Sequence, residues 1–457
     1  MIVLKGLRKI FFGTYARGFF SSYLIVITLG AFVLSLPISL QSGVSLAPVD
    51  AMFTAASAIS TTGLTTIVPA ETFSLFGIIV LLLIIQFGGI GLIMVVALFW
   101  LIARRQIGFK QRNMIMTDQN QLSRQGIVRF VRNVLIMIFI IEGIAIVTLS
   151  SYLYFSGHFP IIGDAILQGV FLSISLFTNA GFDLAPNNDS FQMFANDYFM
   201  QSAAIFLIFM GGVGFWVLAE IKEFVVAKRH GERFKFSYFV KMLVAIHLVL
   251  FVVGAVLIIA LEGRGFLADK SLIESIYYGL FMSITTRNAG FSTMDVNDFG
   301  VTTQLLMMVL MFIGASPNSA GGGIRTTTVL VVLAAMRTFS LGKQDVIIRE
   351  RKIKDFTVRK SFVAIMTGVM LVFFAIALLS LVEVAPIHAV SFEVISAFGT
   401  TGLSLGITET LATFSKLVLV IVMFIARIGV LALLLMFRPD RGGETGVHYP
   451  ETDIIVG

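Results

Sequence analysis

The 457-residue chain contains no cysteine. Disulfide scaffolds, thiolate metal sites and thiol catalysis are therefore excluded. Charge is also scarce, at 13% Asp, Glu, Lys and Arg against roughly 25% in an ordinary soluble domain. With 57% hydrophobic residues, too little polar material remains to cover a soluble globule. Histidine occurs only at 158, 230, 247, 388 and 448, without metal-ligand spacing. No nucleophile–base pair stands out either, so no enzyme is expected. What is abundant is apolar sequence, in runs interrupted by Gly, Ser and Thr, with a mean hydropathy of +0.95. It suffices for roughly eight helices of the ~20 residues that cross a bilayer. The expected fold is an all-α polytopic membrane protein.

The net charge of +7 reports topology here rather than a nucleic-acid partner. If alternate loops face one side, only Arg264, Lys270 and Lys416 fall opposite the N-terminus, and Arg287, Arg325 and Arg427 fall at membrane depth. Both termini are thus expected in the cytoplasm of a cell-membrane protein. The opposite side carries Asp50, Glu71, Asp164, Asp183, Asp189, Asp197, Asp295 and Asp298, which would concentrate cations at an outer mouth. Lys5, Arg8 and Lys9 before an apolar run, with Ser45-Leu46-Ala47 beyond it, imitate a signal peptide. Residues 19–37 are long enough to span, and the first repeat needs them, so the segment is expected to be retained.

Self-comparison finds four segments with one order: long apolar helix, short apolar piece, Gly-centred polar string, long apolar helix. The strings are STTGL at 60–64, TNAGF at 178–182, RNAGF at 287–291 and GTTGL at 399–403. Their glycines, Gly63, Gly181, Gly290 and Gly402, recur about every quarter of the chain. Repeats are expected at 1–108, 109–231, 232–345 and 346–457, in pseudo-fourfold symmetry around one central pore. Downstream, Gly88, Gly211, Gly314 and Ala426 form a second correspondence, in part explained by close approach of helices through small residues.

The short pieces at 50–60, 164–177, 274–286 and 388–398 cannot cross about 30 Å at about 1.5 Å per residue. They must dip in and return. Asp50, Asp164 and Ser271 or Glu274 suit their N-termini, which leaves the partially negative ends near the midplane, facing a cation. Irregular backbone at that depth must line a cavity or be buried in protein. The candidate ion-binding filter is therefore Ser60, Thr61, Thr62 and Gly63; Thr178, Asn179, Ala180 and Gly181; Asn288, Ala289 and Gly290; and Gly399, Thr400, Thr401 and Gly402. Carbonyl and hydroxyl oxygens there can replace the hydration shell of a monovalent cation. The strings hold no carboxylate, which argues against a divalent-ion filter.

In the third repeat, the second long helix is broken by Gly314, Ala315, Ser316, Pro317, Asn318, Ser319, Ala320, Gly321, Gly322 and Gly323. Gly costs about 1 and Pro about 3 kcal/mol within a helix. A flexible loop across the pore below the filter, acting as a gate, is the expectation. Intramembrane charges are usually functional. Arg427 is expected to project below the filter and bond carbonyls of this loop, and Arg325 to anchor it. Arg287 is expected behind the filter, towards an acid such as Glu274 or Glu393, and Glu142 is a candidate partner for a buried arginine.

These strings, with the segment GASPNSAGGGIRTTT, resemble the Trk/Ktr/HKT superfamily of potassium transporters over essentially the whole chain. Within it, the eight-helix length and short N-terminus resemble the bacterial membrane subunits of the KtrB/KtrD type. The resemblance implies potassium uptake across the bacterial cell membrane, often stimulated by Na+, by a homodimer seated on a cytosolic KtrA/KtrC-type ring that binds ATP or ADP. It implies no cofactor in this chain beyond the transported K+. Gly63, where sodium-selective plant relatives carry Ser, favours K+ over Na+. The basic segments 104–132, 222–241 and 337–360 suit anionic lipid, and the resemblance adds docking of the ring, together with the 438–457 tail. The rival reading is a Na+- or H+-coupled secondary cation transporter, which ordinarily needs ionisable groups at its substrate site.

Overall fold

A computed structural model describes residues 15–102, 126–185 and 190–436. Lys5, Arg8, Lys9, Asp189, most of the 104–132 segment and the 438–457 tail lie outside the described residues. The described chain is almost entirely helical, and one order of elements recurs four times. First come α1 (Tyr15–Leu34), α2 (Pro48–Ser60), α3 (Leu75–Ile90) and α4 (Leu92–Ile102). Next are α5 (Ile127–Phe155), α6 (Ile162–Phe177), α7 (Tyr198–Gly212) and α8 (Phe215–Arg229). Then follow α9 (Tyr238–Glu262), α10 (Leu272–Thr285), α11 (Val301–Phe312) and α12 (Thr326–Ser340). The last set is α13 (Asp355–Ser380), α14 (Ile387–Gly399), α15 (Thr413–Ile428) and α16 (Val430–Met436).

Length and burial divide these helices into two kinds. Helices α5, α9 and α13 have 29, 25 and 26 residues and are long and apolar enough to cross a membrane. Their apolar side chains nevertheless stay exposed, Val147 at 67% and Phe373 at 66%, as surfaces facing hydrocarbon do. The short helices α2, α6, α10 and α14 are the reverse. Each carries a fully buried phenylalanine, Phe53, Phe171, Phe281 and Phe392, nine or ten residues before its string glycine. The starts of these helices are fixed locally. Ser271 caps α10 in a reciprocal capping box with Glu274, Asp164 lies in the first turn of α6, and Asp50 lies in the first turn of α2.

The sequence leads one to expect a broken inner helix in the third repeat alone, yet all four are interrupted at corresponding points. The chain turns between α3 and α4 by 99° and between α7 and α8 by 100°. Single glycines make three of the breaks, Gly91 at φ 93°, Gly214 at φ 108° and Gly429 at φ 99°. The third break is the long loop between α11 and α12. Consequently only α5, α9 and α13 among the described helices are long and apolar enough to cross a membrane unaided, with the two bent pairs long enough together. A glycine in an apolar run reads as a contact residue, which hides the break. At Gly214 a methyl group would also lie 3.0 Å from the Pro317 carbonyl oxygen. Gly214→Ala is expected to lose about 1–3 kcal/mol, measured as a lowered thermal midpoint of the detergent-solubilised protein.

Candidate ion pathway and gate

The four strings share one backbone. The residue two before each glycine has positive φ, Thr61 at 54°, Asn179 at 54°, Asn288 at 91° and Thr400 at 50°. The glycines follow at 90°, 70°, 77° and 95° for Gly63, Gly181, Gly290 and Gly402. A left-handed Thr or Asn is costly for an L-residue. Four at matching positions mark strain held by the surroundings, as at ligand clamps. The glycines were legible in the sequence; their strained neighbours were not, because Thr carries no left-handed signature.

The strings close on one another in chain order. A methyl group on Gly63 would lie 2.7 Å from the Ala180 carbonyl oxygen, and one on Gly181 would lie 2.9 Å from that of Ala289. On Gly290 it would collide with the Thr401 carbonyl, and on Gly402 with that of Thr62. String one therefore abuts two, two abuts three, three abuts four, and four returns to one. All candidate filter residues lie in this ring or at the helix ends feeding it; Ser60 ends α2 and Gly399 ends α14.

Hydroxyls hold the ring from behind, a feature the sequence reading missed. Ser57 Oγ accepts from the Gly63 N–H at 3.1 Å, and Ser396 Oγ accepts from the Gly402 N–H at 3.1 Å. Ser175 Oγ donates to the Phe182 carbonyl at 2.6 Å, and Thr285 Oγ1 to the Phe291 carbonyl at 2.6 Å. A Ser or Thr five or six residues before each glycine was the available signal.

On one side of the ring lies a cavity of about 340 Å³ whose wall includes all four glycines, with Asp183, Asp295 and Glu409. Two of the expected outer acids, Asp183 and Asp295, thus border this cavity. Others are structural: Asp50 pairs with Lys416 Nζ at 2.8 Å, and Asp197 caps α7 while accepting from the Tyr152 hydroxyl at 2.9 Å.

On the other side sits the broken segment, whose Gly314, Ser316, Gly321, Gly322 and Gly323 are buried while Pro317 and Asn318 are half-buried. Bonds from every quarter hold it. The Ser316 and Ala320 N–H groups donate to Gly212 and Gly211 carbonyls at 3.2 and 3.3 Å, and the Phe215 N–H donates to the Asn318 carbonyl at 2.6 Å. Thr61 Oγ1 donates to the Ala320 carbonyl at 2.9 Å. The Gly322 N–H donates to Thr400 Oγ1 at 2.7 Å, and the Asn288 amide donates to the Gly322 carbonyl at 3.4 Å. Arg325, at the N-cap of α12, donates to the Gly321 carbonyl.

Arg427, near the end of α15, is 8% exposed. Its guanidinium donates to Thr61 Oγ1 at 3.0 Å, to the Ala320 carbonyl and to the Gly88 carbonyl. One side chain thus ties the fourth repeat to the first filter string, the loop and the end of α3. No carboxylate among the described residues pairs with it.

Two expected acid pairings differ. Arg287 is 1% exposed behind its string, but it donates to the His247 carbonyl at 2.8 Å and to His247 Nδ1 at 3.0 Å rather than to Glu274 or Glu393. The His247 carbonyl and ring nitrogen take its two terminal nitrogens, and Arg287 Nε is left without a hydrogen-bond partner among the described residues. Glu142 accepts from Gln86 Nε2 at 3.0 and 2.9 Å, with no arginine involved. Glu393, 0% exposed, accepts from Ser404 Oγ at 2.5 Å, the Leu405 N–H at 3.1 Å and Thr408 Oγ1 at 2.8 Å. Glu393→Ala would remove the acceptor of all three, leaving Thr408 Oγ1 only Ser404 Oγ at 3.0 Å. It is expected to cost about 3 kcal/mol or more, seen as a fall in thermal midpoint that Glu393→Gln partly restores.

Four short helices ending in strained strings, a closed ring beside an acidic cavity and a plug of backbone on its other face make up the fold of a membrane transporter. Residues 21–442 match the TrkH family model, described as cation transport protein, and the chain belongs to that family. It is 40% identical to the Ktr system potassium uptake protein D of Bacillus subtilis (strain 168), over 95% of both chains. It is 34% identical to the Ktr system potassium uptake protein B of Vibrio alginolyticus, over 95% of this chain and 93% of that one. The crystal structure of the potassium transporter TrkH from Vibrio parahaemolyticus has the same fold, with a TM-score of 0.72 at 15% identity, covering 93% of this chain and 85% of that one.

Proposed function

We propose that the chain is the K+-translocating membrane subunit of a Ktr-type uptake system. The observation that carries this is the closed ring of four strings with one shared backbone. Oxygens of residues 60–63, 178–181, 288–290 and 399–402 take the place of the hydration shell of K+, and the acidic mouth raises its local concentration. The names of the similar Ktr proteins support K+ as the ion. The absence of carboxylates from the strings disfavours proton- or sodium-coupled exchange at the same site.

The 314–323 loop is the gate, and Arg427 and Arg325 are its latches. The working unit is a homodimer in the bacterial cell membrane with both termini cytoplasmic, its basic face docked on a KtrA/KtrC-type ring that supplies ATP- or ADP-dependent control. The test is K+ and Na+ uptake by K+-uptake-deficient cells expressing the chain, with and without such a partner. K+-selective uptake raised by the partner supports the reading. Uptake requiring a fixed ratio of a co-transported ion would replace it with the secondary transporter.

A further inference from the structure

Away from the pathway, a groove of about 310 Å³ runs between α9 and α12. Its sides are apolar, with Ala245 and Val249 from α9 and Val329 and Leu333 from α12, and Arg349 stands at its end. Because α9 is long and apolar enough to cross a membrane and Val249 and Leu333 are each 58% exposed, this groove opens towards hydrocarbon.

Arg349 is placed there at a cost. It sits at the tip of a hairpin formed by β1 (Ile347–Ile348) and β2 (Arg351–Lys352), where both turn residues, Arg349 and Glu350, have positive φ of 43° and 66°. Such two-residue turns favour Asn-Gly or Asp-Gly, so an Arg-Glu pair stores strain. The surroundings hold it in place. The Tyr238 hydroxyl donates to the Ile348 carbonyl at 2.9 Å, the Arg351 guanidinium lies 4.5 Å over the Tyr238 ring, and Lys352 pairs with Asp345 at 2.5 Å. Arg349 itself makes no hydrogen bond or ion pair among the described residues. Basic residues outnumber acids along 343–355.

We propose that this groove binds one anionic phospholipid from the leaflet on the hairpin side, with an acyl chain between α9 and α12 and the phosphate headgroup on Arg349. The apolar walls match the chain and the unpaired guanidinium matches the phosphate. Since α12 begins directly after the broken loop, the lipid bridges that helix to α9.

The lack of native cysteine allows a clean test. Met336→Cys, one turn beyond Leu333 on α12, is labelled with bimane in the full chain and reconstituted in phosphatidylcholine vesicles. Nitroxide-labelled phosphatidylglycerol or phosphatidylcholine is then added at equal mole fraction. Quenching is expected to report an apparent affinity for phosphatidylglycerol about fivefold higher. Arg349→Gln is expected to bring that ratio near one, while Arg359→Gln, outside the groove, leaves it intact. Equal quenching by both lipids in the parent protein, or a preference surviving Arg349→Gln, overturns the proposal. So does the absence of quenching by either, which would mean that a second copy of the chain covers the groove.

Discussion

Gly290→Ser is expected to reduce K+ uptake by at least about tenfold while the protein still reaches the membrane; a loss of ~1.4 kcal/mol at the ion's binding step is sufficient for that. Gly290 holds φ at 77°, and a side chain there runs into the Thr401 carbonyl of the neighbouring string. Either the serine displaces that carbonyl or the third string retreats, and both alter the oxygens facing the ion. Strain alone does not explain the expected loss. Gly43 has a similar φ of 84° with nothing within 4 Å of an added methyl group, so Gly43→Ser carries the backbone penalty without the collision. Cellular uptake of labelled rubidium, normalised to membrane-inserted protein, checks the pair. Loss in Gly290→Ser with near-normal uptake in Gly43→Ser is the predicted result, and equal effects in both would count against the ring.

Arg427→Ala is expected to raise partner-independent K+ flux several-fold, on the order of tenfold. Removing the guanidinium leaves the Ala320 carbonyl with Thr61 as its remaining side-chain donor and frees the Gly88 carbonyl at the end of α3. It also removes a fixed positive charge from below the filter, lowering the electrostatic barrier to a cation. Arg427→Lys should restore the closed behaviour only in part, since an ammonium keeps the charge but lacks the planar fork that reaches three carbonyl and hydroxyl groups at once. Deleting residues 314–323 should act in the same direction. Flux measured in proteoliposomes without partner decides this, and an unchanged rate and K+ affinity in Arg427→Ala would remove the side chain from the gate.

Most of the candidate site could be read from the sequence because its chemistry is repeated. Four Gly-centred strings at near-equal spacing announce themselves, and a segment with four glycines and a proline has too little helix propensity to pass as a span. What escaped has physical reasons. The breaks at Gly91, Gly214 and Gly429 depend on one dihedral each, and a glycine in an apolar run looks the same whether it bends the chain or admits a neighbour. Gly88 and Gly211 illustrate the second case, since a methyl group there would strike the Ile59 and Phe177 carbonyls at the ends of the short helices. The partners of Arg287 and Glu142 escaped because a buried charge suggests an opposite charge, whereas these side chains meet a histidine and a glutamine. The clamps at Ser57, Ser175, Thr285 and Ser396 were visible as a repeat, but only the geometry shows their hydroxyls meeting the strings.

The central claim is that the ion passes through the ring formed by the four strings. Anomalous diffraction from crystals of the protein grown in rubidium tests it most directly, because rubidium substitutes for potassium and its position is read without interpretation of transport rates. The predicted result is rubidium density on the axis among Gly63, Gly181, Gly290 and Gly402. Density at a carboxylate away from the ring, with none on that axis, would contradict it.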